Sequence, residues 1–217
     1  MNTLKLVIGN KNYSSWSLRP WFFLKNLEID FEEEMVFLFE GDTEEKLEPY
    51  FSDGKVPVLL DDNLRIWDSL AIIEAIADKY PDKQGWPKDA DARAIARSVS
   101  AEMHSGFFAL RNALPMNCKK HFLNYPITDE VQKDIERIVS VWEFCRNNYG
   151  SNGPWLFGEF SGADAMFAPV VLRLSGYDVK FSGITKNYMT TVLQNTYIQH
   201  WIEVGKSEKQ IITMNEV

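Results

Sequence analysis

At 217 residues and 45% hydrophobic content, the chain has enough apolar material for one large core or two small ones. The formal net charge of -8 is uneven, with 17 Asp and Glu against 8 Lys and Arg up to Asp82 and 14 against 15 beyond it. An acidic first part without a Lys/Arg cluster among aromatics argues against nucleic acid, and no run approaches the roughly 18 apolar residues of a membrane span. Two cysteines, Cys118 and Cys145, cannot build a disulfide framework. Met1 leads almost directly into a strand pattern without a signal-like n-region, so a cytoplasmic location is expected.

Leu4 to Ile8 reads as a strand, closed by the turn residues Gly9-Asn10-Lys11-Asn12. The hydroxyl-rich Tyr13-Ser14-Ser15-Trp16-Ser17 then leads into an apolar helix, with Pro20 expected in its first turn. Phe31 to Phe39 reads as a second strand, and Gly41 to Glu45 as a short capped helix. Val56 to Leu60 and Leu64 to Trp67 form a hairpin across Asp61-Asp62-Asn63. Pro57 cannot donate to a ladder and belongs at a strand's start, which leaves the Val56 backbone free to pair with an extended peptide. Asp68-Ser69 opens the apolar-periodic run Leu70, Ile72, Ile73 and Ile76, so both lie where a helix exposes unpaired amides and attracts carboxylates. The order βαβαββα is that of a thioredoxin-like domain.

Tyr80 to Pro87 carries two prolines and a glycine beyond Tyr80 itself and marks the expected boundary between a first domain, residues 1–82, and an all-helical bundle, residues 88–217. Within the bundle, Asp89 to Arg111 shows helical spacing throughout, Thr128 opens a long helix to about Asn148, and Ser161-Gly162-Ala163-Asp164 is a capping-box variant before the apolar run Ala165 to Leu172.

The proline-led strand beside a helix beginning Asp-Ser, together with Ser14-Ser15-Trp16-Ser17, resembles the glutathione transferases, most nearly the serine-type zeta class that includes maleylacetoacetate isomerases. The likeness runs over essentially the whole chain. It implies that glutathione docks its peptide on Val56, before a cis Pro57, with Asp68 and Ser69 holding the γ-glutamyl end and Lys55 near the glycine end. It also implies a helical wall for a small electrophile and a homodimer. Only the thiolate is nucleophilic and a free thiol titrates near ~8.5, so a hydroxyl at a helix N-terminus is needed to hold the sulfur anionic. By resemblance the first serine, Ser14, is that donor, with Ser15 and Tyr13 as rivals. Trp16 stands where the zeta class has cysteine, which argues against thiol-reductase chemistry.

A glutathione-dependent isomerase and a non-catalytic binding module remain the alternatives. Lys55 reads equally well as an exposed lysine, and His104 as a satisfied surface histidine within a stretch, Glu102 to Phe108, that with Arg111 is a candidate pocket wall. Cys118 precedes Lys119, Lys120 and His121, cations that would depress a thiol's pKa, whereas Cys145 reads as core. His104, His121 and His200 lack metal-ligand spacing.

Overall fold

A computed structural model describes residues 4–217. Strands β1 (Leu4–Ile8), β2 (Phe31–Met35), β3 (Val58–Asp61) and β4 (Leu64–Ile66) form one sheet in the order β2-β1-β3-β4. β1 runs parallel to β2 and antiparallel to β3, with Leu6 opposite both Glu33 and Leu59. Strand periodicity sorts β1 to two faces. Leu4, Leu6 and Ile8 join the main core, while Val7 meets Val36, Leu47 and Val58 on the other side of the sheet.

Helix α1 (Ser15–Asn26) follows β1, α2 (Thr43–Leu47) follows β2, and α3 (Ser69–Lys79) follows the hairpin, giving the βαβαββα order expected. α1 begins at Ser15, so Pro20 falls in its second turn rather than its first. Its missing N–H leaves the Trp16 carbonyl without a helical donor, which the helix tolerates because packing holds it. α1 is buried on nearly every side, enclosed between layers, and its middle turns are correspondingly apolar apart from Arg19. It packs against β1 and α3 within the first half and against α7 (Gly162–Gly176) and α9 (Thr196–Ser207) of the helical half.

The helical half comprises α4 (Ala90–Ser105), α5 (Phe108–Ala113), α6 (Asp129–Tyr149), α7 (Gly162–Gly176), α8 (Gly183–Gln194) and α9 (Thr196–Ser207). The single helix expected from Asp89 to Arg111 is two, because Gly106 leaves the helical conformation and Phe107 takes φ of 61°. Phe107 is thereby buried, and Arg111 turns back to cap α4, donating to the carbonyls of Met103 and His104. α7 lies at the centre of the molecule, started by the expected capping box at Ser161 and Asp164. Among the described residues no helix is long and apolar enough to cross a membrane.

Candidate active site

The loop between β1 and α1 is folded by its own polar groups. The Asn10 carbonyl accepts from the backbones of Tyr13 and Ser14 at 3.1 and 2.8 Å, and Asn10 Oδ1 accepts from Leu38 N at 2.8 Å. Ser14 caps α1: its Oγ accepts from Ser17 N at 3.3 Å and donates to Ser17 Oγ at 2.8 Å. Ser15, the first residue of the helix, accepts from Nη2 of Arg173 at 3.1 Å. Tyr13 donates its hydroxyl to Glu216 Oε1 at 2.5 Å, and burial, then the Glu216 carboxylate, pushes the phenol's pKa up. With its proton held in this way, Tyr13 is a poor donor to sulfur.

Ser14, Ser15, Lys55 and Val56 line one cavity of about 870 Å³, a volume suited to a tripeptide and a small second substrate. The Val56–Pro57 peptide is cis, and Val56 lies just outside β3 with its backbone free of the sheet ladder. Lys55 is exposed and pairs with Asp53 at 2.5 Å. Across the cavity stand Phe108 and Arg111 of α5, Arg173 of α7, and Ile212 and Met214 of the C-terminal segment. That segment is tied to the serine loop at two carboxylates. Glu208 accepts the Lys11 and Asn12 amides at 2.6 and 3.1 Å, while Glu216 takes Tyr13 and, at 2.6 Å, Lys120.

Pro57, Asp68 and Ser69 are not part of this lining. Asp68 caps α3, accepting from Leu70 N at 3.1 Å, and its other oxygen meets His104 Nε2 at 3.0 Å. Ser69 is fully buried, where Nη1 of Arg19 reaches its hydroxyl at 3.5 Å. His104 is thus satisfied at Nε2, as expected, but half-buried, its side chain 27% exposed. It stands edge-on to Trp16 with centroids 5.3 Å apart, its Nδ1 has no partner, and burial lowers its pKa, aided by Arg19 and Arg111 against the pull of Asp68.

Three guanidiniums, which the sequence reading did not assemble, surround the serines. The guanidiniums of Arg19 and Arg111 lie over the Trp16 ring, at 4.2 and 4.8 Å from its centre, a cation–π arrangement available to tryptophan and not to cysteine. None of Arg19, Arg111 and Arg173 forms an ion pair with a carboxylate among the described residues. Burial, with the like charge of Arg111 beside it, pushes the Arg173 pKa down to about 10, and burial lowers that of Arg19, with Arg111 and Arg173 repelling it and Asp68 pulling the other way. A concentration of buried positive charge of this kind favours an anion in the cavity. The one signal of Arg173 in the sequence is its place as the lone charged residue in the apolar run Ala165 to Leu174.

Cys118 does not have the depressed pKa its cationic neighbours imply. Lys119 turns to the Glu208 carbonyl and Lys120 to Glu216, and burial pushes the Cys118 thiol up to about 12. Cys145 is core, as expected, and is likewise raised to about 12.

Comparison with known proteins gives this geometry a family. A model described as "Glutathione S-transferase, N-terminal domain" matches residues 13–79. Glutathione S-transferase 1 of Dianthus caryophyllus is 36% identical over 187 residues, 81% of this chain and 80% of that protein. A probable maleylacetoacetate isomerase of Caenorhabditis elegans is 38% identical over 98 residues, 45% of either chain. Among solved structures, a Burkholderia glutathione transferase homologue with bound glutathione has a TM-score of 0.72 at 21% identity, covering 95% of this chain and 100% of that one. An unclassified Bombyx mori glutathione S-transferase has a TM-score of 0.74 at 20% identity, over 99% and 96%; at such identities the likeness is one of fold. With sequence identity of this extent joined to the same fold, the chain belongs to the glutathione S-transferase family.

Proposed function

We propose that this protein is a cytoplasmic glutathione transferase in which a hydroxyl of the Ser14–Ser15 pair holds the glutathione sulfur as thiolate for attack on a small electrophile. The observation that carries the reading is the placement of both serines at the start of α1, in one cavity with the Val56 backbone, the buried Arg173 and the half-buried Arg111. In this reading the sheet-bearing residues 1–82 bind glutathione and the helical residues 88–217 supply the electrophile's wall. The peptide pairs with Val56, Lys55 attends the glycine carboxylate, and Asp68 at the mouth of α3 receives the γ-glutamyl end, with the buried Ser69 and Arg19 behind it. The thiol's proton leaves to solvent. The remaining sulfur anion is stabilised by the hydroxyl, by the positive end of α1 and by the arginines, and its lone pair forms the bond to the electrophilic carbon. A leaving group departs from that carbon with its bonding pair or, at a conjugated double bond, the displaced π pair takes a proton from solvent.

The likeness to the Caenorhabditis elegans protein favours a second reading, a cis–trans isomerase. There the thiolate adds to a conjugated double bond, rotation follows about the resulting single bond, and elimination restores both the double bond and free glutathione. Mass balance separates the two. A transferase consumes one glutathione per product and yields a glutathionyl adduct, whereas an isomerase needs glutathione, consumes none and gives a product of unchanged mass. Inactivity with every electrophile tested, in the presence of glutathione, would remove both readings.

We also propose a two-fold homodimer, the commonest oligomeric symmetry. Its support in this chain is the exposed pair Phe51 and Trp67, whose rings meet edge-on at 5.6 Å.

A further inference from the structure

The two adjacent serines differ in their partners. Ser14 Oγ is engaged within the first turn of α1, accepting the Ser17 amide at 3.3 Å and pairing with Ser17 Oγ at 2.8 Å, and Ser17 Oγ accepts the Gly9 amide at 3.0 Å. Ser15 Oγ has one partner among the described residues, the Arg173 guanidinium, and that partner donates. Arg173 is itself immobilised: Nη1 donates to the carbonyls of Arg111, at 3.2 Å, and Leu114 at the C-terminal end of α5, leaving Nη2 aimed at Ser15. Three fixed bonds on a planar fork leave the side chain little freedom.

We propose that Arg173 is a positioning residue for thiol activation, which by donating to Ser15 Oγ turns the hydroxyl proton of Ser15 toward the cavity and makes Ser15, rather than Ser14, the donor to the glutathione sulfur. The inference rests on the reading of this cavity as the glutathione site. An oxygen that accepts from a guanidinium is a stronger donor through its own proton, since charge-assisted bonds polarise the groups they join. The charged groups acting on Arg173 are Arg111 from α5, Arg19 from α1 and the Tyr177 phenol just beyond α7. No carboxylate among them neutralises the guanidinium. In the ionisation step the thiol's proton goes to solvent, Ser15 keeps its own proton as a hydrogen bond to sulfur, and Arg173 stays protonated throughout. A merely structural arginine in α7 would be satisfied by the two carbonyls and would have no effect on the sulfur.

The test is the ultraviolet absorbance of the glutathione thiolate against pH, in complexes with the unaltered protein and with Ser14→Ala, Ser15→Ala, Arg173→Gln, Arg173→Lys and the Ser15→Ala/Arg173→Gln double variant. Ser15→Ala and Arg173→Gln should each raise the pKa of the bound thiol by about one unit. The double variant should do no more than the larger single change, as for residues acting through one bond. Arg173→Lys, which keeps a charged donor, should recover part of the shift. A raised pKa in Ser14→Ala with none in Ser15→Ala overturns the proposal, and so does full additivity in the double variant, which would mean that Arg173 acts on sulfur directly. If Arg173→Gln does not fold, the comparison of Ser14→Ala with Ser15→Ala still decides which serine donates. Absence of glutathione binding by the unaltered protein would instead sink the underlying reading of the cavity.

Discussion

Ser14 and Ser15 are neighbours in sequence with unlike surroundings, one closing the first turn of α1 and the other reaching across the cleft to α7. Loss of the first should therefore register as stability. Ser14→Ala removes an N-cap oxygen and should lower the unfolding free energy by about 1 kcal/mol in urea denaturation, with the glutathione thiol left near its native pKa. Hydroxyls just ahead of an apolar helix are visible in a sequence, as are a proline at a strand's start and Asp-Ser at a helix mouth. Arg173 is not, because its partner lies 158 residues away and nothing local distinguishes a buried arginine that serves a site from one that caps carbonyls. Trp16 was legible only as a missing cysteine, since the two cations that lie over its ring come from different parts of the chain.

Among the elements, the strands and the first three helices follow from alternation, turn residues and capping, all short-range signals. The break between α4 and α5 does not, because the spacing of apolar residues continues through Gly106 and only packing dictates that Phe107 turns inward. The capping box of α7 is both legible and consequential. Asp164 is fully buried, accepting from Leu156 N at 3.0 Å and Ser161 N at 2.9 Å, and burial holds its carboxyl up at about 6 against those bonds. A carboxyl raised in the folded state binds a proton that the unfolded chain has released between about pH 4 and that value. Its contribution to stability is thus fully present below that window and is lost as pH rises through it. Urea midpoints measured from pH 4 to 7 should show this decline, and Asp164→Asn, which cannot ionise, should lack that part of it.

At the scale of the molecule, the cavity exists only because α5, α7 and the C-terminal segment close over the serine loop. The two prolines and glycine near residue 82 signal a change from sheet to helix. They do not reveal that residues 208–216 return to bind Lys11, Asn12 and Tyr13. Sedimentation at micromolar concentration should give a dimer, and Phe51→Asp, which places a charge in the exposed aromatic group, should shift it toward monomer; a monomeric unaltered protein would remove the dimer. The most direct measurement for the site as a whole is the ionisation of glutathione bound to the unaltered protein, followed by thiolate absorbance. The thiol should titrate at least about one unit below the ~8.5 of a free thiol, as expected for a sulfur held by a hydroxyl, a helix N-terminus and buried arginines. A thiol that binds yet titrates at its solution value, or glutathione that does not bind, would contradict it.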